Sequence, residues 1–320
     1  MGHFSLHTLS DGFFGLDGGA MFGVIPKLLW EKRNPPDPKN RIKLALRSLL
    51  IVTASERILV DTGVGRKYGP KFSDMFNVDD SDNLLDSLKR AGFNPDDVTL
   101  VVQTHLHFDH CGWATRLNDR GRPVPTFPKA RYIVQAWEWQ DAVTPNRRTK
   151  GSYRSDDFLP LQEAGQLELV DGDTELVPGV RLVRTGGHTR GHQIVIVETK
   201  SEVRGQNAEG RSQAQKSDAR SETSEVRCLK PGIENPKPKT QNPIVVFWGD
   251  LIPTTSHIEV PYIMGYDTYP LATAEKKEEL VARAADENWL CFFEHDPNYT
   301  CGRIVRDGER YQFRSDDVRC

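Results

Sequence analysis

Four side chains that can bind metal ions lie within the short run from His105 to His110, directly after an apolar segment. In an extended loop alternate side chains project the same way, so His105 and His107 can bind one ion. Asp109 and His110, after a turn, can then serve a second ion. This spacing predicts half of a two-metal hydrolytic site on a single loop.

Three further residues of the same kind follow predicted strands downstream. Each of these strands is an apolar run that leads into a loop. The strands and the residues after them are Val180 to Thr185 with His188, Pro243 to Trp248 with Asp250, and Leu290 to Phe293 with His295. Two glycines precede His188 and allow the backbone to approach closely around a ligand. The candidate set therefore comprises five histidines and two aspartates.

The order of these residues, His-x-His-x-Asp-His followed by His, Asp and His, resembles the metallo-beta-lactamase superfamily over most of the chain. The resemblance implies two metal ions and an α+β fold, a four-layer αββα sandwich with the metals at one edge. One ion would be bound by His105, His107 and His188, the other by Asp109, His110 and His295, and Asp250 would bridge them.

Four flanking segments resemble a particular branch of that superfamily, the YtnP-type quorum-quenching lactonases. The segments are Asp17 to Trp30, Val60 to Gly65, Thr185 to His188 and Ile263 to Pro270. The resemblance implies hydrolysis of N-acyl-homoserine lactones, in which a hydroxide bridging the two ions attacks the lactone carbonyl. Asp109 is the candidate that delivers a proton to the leaving alkoxide.

Two alternatives to lactone hydrolysis stay open at this point. A phosphotriesterase or a general esterase would use the same dinuclear site, because one fold hosts many chemistries. Outside the enzymes, the chain could be a metal-stabilised binding or sensor protein. Imidazole and carboxylate ligands without a thiolate suit zinc, which is the expected ion, and also manganese, iron or cobalt.

The residues that would contact the substrate are less well defined by the sequence. Lactonases of the superfamily place a tyrosine shortly after the bridging aspartate, whereas Leu251 to Pro253 follow Asp250 here. Tyr262, Tyr266 or Tyr269 could replace it from the following loop, or could be packing or surface residues.

The segment from Met21 to Trp30 combines apolar residues with a glycine and a proline. Such a loop either lines an acyl-chain pocket, with Met21, Phe22 and Ile25 as candidates, or packs at the interface of a homodimer. The sequence leaves both interpretations open.

The bulk properties favour a small-molecule substrate. A net charge of -3 over 320 residues gives no electrostatic footprint for nucleic acid or an anionic membrane. No apolar run approaches the length of a membrane span, and the first six residues lack the features of a signal peptide. Five cysteines at irregular spacing match neither a zinc pattern nor an even disulfide set. A reducing, cytoplasmic setting is the prediction that follows.

The candidate ligands extend from His105 to His295, so splitting the chain would divide the site, and residues 1–320 are predicted to form one domain. Residues 200–241 are rich in Ser, Glu, Gln, Arg and Lys and are predicted to be a disordered insertion.

Several elements are predicted to surround the site. Helical spacing predicts one helix with Ser81 or Asp82 as its N-terminal cap and Gly92 at its end, a second over Ala136 to Val143, and a third over Thr273 to Asn288. Asp61 ends a strand over Arg57 to Val60. Because the superfamily places an aspartate near the metals at the matching position, Asp61 either braces the ligands or acts more directly.

Overall fold

The computed structural model describes residues 4–79, 81–198 and 244–315, within which lie fifteen strands and eight α-helices. The strands are β1 (Ser5–Asp17), β2 (Arg41–Val52), β3 (Arg57–Val60), β4 (Leu100–Val102), β5 (Thr115–Leu117), β6 (Pro123–Pro125), β7 (Arg131–Gln135), β8 (Leu167–Val170), β9 (Thr174–Val177), β10 (Val180–Arg184), β11 (Gln193–Glu198), β12 (Ile244–Phe247), β13 (Leu290–Phe292), β14 (Cys301–Asp307) and β15 (Arg310–Arg314). The helices are α1 (Gly18–Phe22), α2 (Lys27–Trp30), α3 (Pro70–Phe76), α4 (Leu84–Arg90), α5 (Phe108–Cys111), α6 (Ala136–Val143), α7 (Ser155–Glu163) and α8 (Pro270–Asp286).

Two mixed sheets lie face to face. The first has the strand order β1-β2-β3-β4-β7-β8, and the second has the order β15-β14-β13-β12-β11-β10-β9. One apolar cluster joins them, with Val60 and Val102 from the first sheet and Val195 and Phe247 from the second. Strands such as β12 are buried at every residue, which explains why they are continuous apolar runs in the sequence.

Helices cover the outer faces of both sheets. On the first sheet, Leu88 of α4, Trp139 of α6 and Phe158 of α7 belong to one buried cluster with strand residues. On the second sheet, Leu280 and Val281 of α8 pack into another. The layers are therefore helix, sheet, sheet, helix, which confirms the predicted αββα sandwich.

Element boundaries follow the predictions closely, with two corrections. β3 and α6 have the predicted limits. Helix α8 spans Pro270–Asp286 rather than Thr273 to Asn288. It begins earlier because proline is well suited to a first helical turn, where its missing N–H loses no hydrogen bond. The cap of α4 is Asn83, whose side chain accepts from the N–H of Asp86, so neither predicted cap is correct. Asp82 pairs with Arg90 instead, at 2.8 Å.

Some predictions concern residues that the structure does not describe. The predicted insertion at 200–241 lies outside the described residues, and one domain over 1–320 stays a prediction. Among the described helices none is both long and apolar enough to cross a membrane. Cys111 and Cys291 are free and buried, whereas Cys301 is disulfide-bonded, which the cysteine spacing did not indicate and a reducing setting does not favour.

Candidate metal centre

The candidate ligands follow strands whose carboxyl ends reach the same edge of the sandwich. β3 and β4 run parallel in the first sheet. In the second sheet β12 is parallel to β13, and β10 points the same way because it is antiparallel to β11, which is antiparallel to β12. The run from His105 to His110 follows β4, and His188, Asp250 and His295 follow β10, β12 and β13. Strand direction thus brings distant residues together.

The loop after β4 divides its candidate ligands between two places. His107 is extended, with φ -68° and ψ 152°, and the single turn of α5 begins directly after it. The N–H groups of His110 and Cys111 both donate to the His107 carbonyl, at 3.0 and 3.1 Å. Because of this turn, Asp109 and His110 point to a different group of side chains from His105 and His107.

The first group contains His105, His107 and His188. Their potential ligand atoms all lie within 4.8 Å of one another. His188 Nε2 is 3.1 Å from His107 Nδ1 and 3.2 Å from Asp250 Oδ2. His105 Nε2 is 4.0 Å from the same Asp250 oxygen.

The second group contains Asp109, His110 and His295. The Nε2 atoms of the two histidines are 3.2 Å apart, and Asp109 Oδ2 lies 3.9 Å from His110 Nε2 and 3.8 Å from His295 Nε2. Asp250 Oδ1 lies 3.5 Å from His110 Nε2 and 3.3 Å from His295 Nε2. The two oxygens of Asp250 therefore face different groups.

The chemistry of these groups fits two metal ions. All seven residues are between 0 and 7% exposed, and His105 Nε2 is buried without a hydrogen-bond partner in the described part of the chain. Buried polar atoms are normally paired, so an orphaned imidazole nitrogen among other ligand atoms suits a cation. Two ring nitrogens as close as those of His107 and His188 also need a proton or a cation between them.

The surroundings shift the histidine pKa values in opposite directions at the two groups. Burial lowers the pKa of His105 and of His107 well below its usual value, and neighbouring imidazoles lower each further, so both rings are neutral. Burial also lowers the pKa of His110, but Glu294, Asp250 and Asp109 outweigh it and raise that pKa well above its usual value. The carboxylates thus attract a proton or, equally, a metal ion.

Asp61 braces the site from behind the ligands. Its φ of +54° is uncommon for a residue other than glycine. Its carboxylate accepts from the Thr104 backbone N–H and hydroxyl, both at 2.6 Å, and Oδ2 lies 3.1 Å from His110 Nδ1. Glu294 Oε2 is 3.1 Å from the same nitrogen. The Asp61 contacts are those of a bracing residue, one of the two predicted roles.

Glu138 is a buried residue that the sequence did not single out. Oε1 accepts from the Leu106 N–H at 2.9 Å and from the Tyr153 hydroxyl at 3.0 Å, and Oε2 accepts from the Thr189 hydroxyl. Leu106 and Thr189 stand next to candidate ligands on two different loops. Tyr153 in turn packs edge-on against His107, with ring centroids 5.0 Å apart. Glu138 therefore joins both loops of the first group.

Two other supporting residues were also missed. His192 Nε2 accepts from the Asp250 backbone N–H at 3.0 Å, and its Nδ1 is 2.7 Å from the Thr185 hydroxyl. Its spacing of four residues from His188 in a glycine-rich loop was a signal that could have identified it. Asp267 Oδ1 lies 2.7 Å from His188 Nδ1.

The five candidate pocket residues lie in one apolar cluster. Met21 and Phe22 are fully buried there, and Ile25, Tyr262 and Tyr266 are partly buried against them. Phe22 stacks on Trp30 with centroids 5.2 Å apart. Phe108, which follows His107, belongs to the same cluster and connects it to the ligand loop.

The carboxylates of two candidate ligands influence Tyr266. Burial raises its pKa, and the carboxylates of Asp109, Asp17 and Asp250 raise it further, which keeps the phenol protonated. Tyr262 packs edge-on against Phe22. Tyr269 is 47% exposed, and its backbone N–H donates to the Gly187 carbonyl.

Comparisons with known proteins agree with this geometry. The model of the metallo-beta-lactamase superfamily matches residues 47–203. An N-acyl homoserine lactonase from Bacillus thuringiensis is 30% identical over 174 residues, which cover 51% of this chain and 62% of that protein. The chain thus aligns with less than two thirds of the length of these lactonases.

Solved structures extend the likeness to the full chain. A probable metal-dependent hydrolase from Staphylococcus aureus is 28% identical, with a TM-score of 0.76 and 98% of both chains covered. The dizinc quorum-quenching lactonase AidC, solved with its product N-hexanoyl-L-homoserine, has a TM-score of 0.70 over 99% of this chain and 96% of its own. At 17% identity AidC shows the fold alone.

The sequence match includes the loops of His105 to His110 and of His188, and the structural match extends through Asp250 and His295. Residues 47–203 therefore match the metallo-beta-lactamase superfamily, and the chain has the metallo-beta-lactamase fold.

Proposed function

We propose that this protein is a dinuclear metal-dependent hydrolase that opens the ring of N-acyl-homoserine lactones, a carboxylic ester hydrolysis. The position of Asp250 carries the proposal, because its two carboxylate oxygens face two separate groups of buried ligand atoms. The lactonase from Bacillus thuringiensis supports the choice of substrate.

Seven residues would hold the two ions. Zinc is the expected metal, with manganese, iron or cobalt as alternatives, because the ligands are imidazoles and carboxylates. When bound, such ions lower the pKa of a water molecule towards about 7 and polarise a carbonyl oxygen. The first ion would be held by His105, His107 and His188, the second by Asp109, His110 and His295, and both by Asp250.

Asp109 is the proposed proton donor to the leaving group. His107, Asp109 and Asp250 are 6–7% exposed, whereas the other four candidate ligands are 0–1% exposed. Asp109 therefore lies on the side of the site that a substrate can reach. A proton on its carboxyl oxygen would pass to the ring oxygen that becomes the product hydroxyl.

The apolar cluster that contains Phe108 is the proposed contact surface for the acyl chain. Tyr262 and Tyr266 stand at its partly exposed margin, and Met21 and Phe22 form its buried floor. Tyr266 is the proposed donor to the substrate carbonyl, because its phenol stays protonated close to the Asp109 and Asp250 carboxylates.

A small-molecule lactone is the proposed partner, with no role for nucleic acid or membrane. A homodimer stays a prediction, and exposed apolar residues before and within α2 support it: Val24 is 90%, Leu28 68% and Leu29 53% exposed. A cytoplasmic setting also stays a prediction.

The test is acid release in a pH-stat. Purified protein loaded with zinc is given N-acyl-homoserine lactones of several chain lengths and compared with the same protein stripped by a chelator. We expect metal-dependent acid release. Asp109→Asn should lower kcat by about 100-fold or more with its metals retained, whereas the exposed Asp119→Asn should match the unsubstituted protein.

Three other outcomes would contradict parts of the proposed function. Full turnover by metal-loaded Asp109→Asn would remove Asp109 as the proton donor. Silence on lactones, with both metals measured, would contradict lactone hydrolysis, and phosphotriesters and other esters would be the next substrates. If every substrate fails, a metal-stabilised binding protein becomes the better explanation.

A further inference from the structure

Asp267 makes a short, fully buried contact with one of the candidate ligands. Its Oδ1 is 2.7 Å from His188 Nδ1, and each side chain is 1% exposed. The opposite ring nitrogen, His188 Nε2, faces His107 and Asp250. We propose that Asp267 is a positioning residue that fixes the ring orientation and the tautomer of His188 for the first metal ion.

The chemistry follows from the two nitrogens of one imidazole ring. A carboxylate at Nδ1 accepts a hydrogen bond from the ring N–H and so keeps the ring proton on that nitrogen. The lone pair of Nε2 is then free for a cation. The same charge makes the ring a stronger donor to a metal. Without Asp267 the ring could rotate about its side-chain bonds or carry its proton on Nε2, and both changes would weaken binding.

The backbone around Asp267 is joined to the loop of His188. The backbone N–H and the hydroxyl of Thr268 both donate to the His188 carbonyl at 2.9 Å, and the Tyr269 N–H donates to the Gly187 carbonyl at 3.0 Å. Gly187 packs so tightly on Thr273 that an added Cβ would lie 2.4 Å from its hydroxyl oxygen. The loop that bears Asp267 is thus fixed relative to His188.

Arg148 holds the other side of this loop. Its guanidinium donates to the Gly265 carbonyl at 2.6 Å and to the Asp267 carbonyl at 3.2 Å. These bonds fix the main chain at Asp267 independently of its carboxylate. Removing the carboxylate should therefore release the His188 ring without releasing the loop.

The effect of Asp267 should be confined to one of the two ions. His110 has its own carboxylate partner in Asp61, and His295 Nδ1 donates to the Ala45 carbonyl at 2.8 Å. Both of these contacts serve the second group. A change at Asp267 touches His188 alone among the candidate ligands.

The experiment measures zinc affinity of the full chain by competition with a chromophoric chelator. The inference about Asp267 rests on the metal centre proposed above, and not on the choice of lactone as substrate. For Asp267→Ala we expect one of the two zinc ions to bind about 10- to 100-fold more weakly and the other to bind as before. Asp267→Asn keeps a hydrogen-bond acceptor but removes the negative charge, so it should lose less zinc affinity than Asp267→Ala.

A matched control is Asp141 of α6, which contacts the loop of His188. Asp141 pairs with Arg190, two residues after His188, at 2.6 Å, but touches no candidate ligand. Asp141→Ala should keep both zinc affinities. An equal loss in Asp141→Ala and Asp267→Ala would mean that the loop, and not the His188 ring, is affected, and would overturn the proposal.

Nuclear magnetic resonance of protein labelled with 15N-histidine gives a second readout. The zinc-loaded protein should show a strongly deshielded Nδ1–H proton from His188, which is lost in Asp267→Ala and shifted upfield in Asp267→Asn. Unchanged zinc affinity and an unchanged proton signal in Asp267→Asn would contradict the inference even if Asp267→Ala fails to fold. An unsubstituted protein that binds no zinc would remove the metal centre itself, a different result from two ions that ignore Asp267.

Discussion

Replacing Glu138 with leucine should destabilise the protein strongly, because its carboxylate is the common acceptor for three buried donors. The Leu106 N–H and the Tyr153 hydroxyl donate to Oε1 at 2.9 and 3.0 Å, and the Thr189 hydroxyl donates to Oε2. Leucine fills a similar volume but accepts no hydrogen bond. Each buried donor that loses its partner costs about 1–3 kcal/mol.

Three such donors together would cost about 3–9 kcal/mol of unfolding free energy, and we expect a loss in the lower half of this range. The hydroxyls of Tyr153 and Thr189 can rotate towards other acceptors, whereas the backbone N–H of Leu106 cannot. Burial also raises the pKa of Glu138, and the donors from Thr189, Leu106 and Tyr153 lower it, so part of their free energy offsets the burial of the carboxylate. We expect Glu138→Leu to lose about 3–5 kcal/mol of unfolding free energy.

Urea unfolding of the metal-free protein, followed by tryptophan fluorescence, measures this loss without a contribution from metal binding. Glu138→Gln is the matched control. Its amide oxygen can accept from Leu106 and Tyr153, and the Thr189 hydroxyl can accept from its NH2 group, so a loss below about 1 kcal/mol is expected. The reasoning fails if the leucine variant is as stable as the unsubstituted protein, or if glutamine is as harmful as leucine.

Three further predictions concern pH, catalysis and metal removal. Burial lowers the pKa of His257 from 6.5 to about 4, so the unfolded chain takes up a proton first and stability is lost as pH falls through that window. His257→Gln should remove about 2 kcal/mol of the difference in unfolding free energy between pH 7 and pH 5, as measured by urea unfolding at the two pH values. Tyr266→Phe should lower kcat/KM for lactones by about 10- to 100-fold with metal content unchanged. Free zinc at 100 times its Kd should raise the unfolding free energy by about 2.7 kcal/mol per site over chelator-stripped protein, seen in the urea midpoint.

The fold and the meeting of the candidate ligands could be predicted because their signals are local. The run from His105 to His110 stands directly after a short apolar strand, and His188, Asp250 and His295 each follow another. Strand direction decides the rest, since strands that point the same way end at the same edge. The superfamily resemblance added the pairing of these residues into two groups.

The supporting roles of Glu138 and Asp267 could not be predicted, because their partners are remote in sequence. Glu138 lies 32 residues from Leu106 and 51 from Thr189, and Asp267 lies 79 residues from His188. In the sequence each is an ordinary acidic residue, and only the tertiary packing makes it a buried acceptor. The cap of α4 was mistaken for a related reason: neighbouring polar residues had similar capping propensity, and Asp82 was taken up by Arg90.

The buried charge at His110 explains why the site suits ions rather than protons alone. Asp61, Glu294, Asp250 and Asp109 lie 3.1, 3.1, 3.5 and 3.9 Å from its ring nitrogens. Burial raises the pKa of Glu294 to about 8. Against the opposing effect of burial, Asp250 raises the pKa of His188 and His295 as it does that of His110. A divalent cation at Nε2 would place positive charge beside Asp250 and Asp109, while the Nδ1 proton would stay towards Asp61. Protons and metal ions therefore compete for the same nitrogens, so metal binding must release protons and strengthen as pH rises.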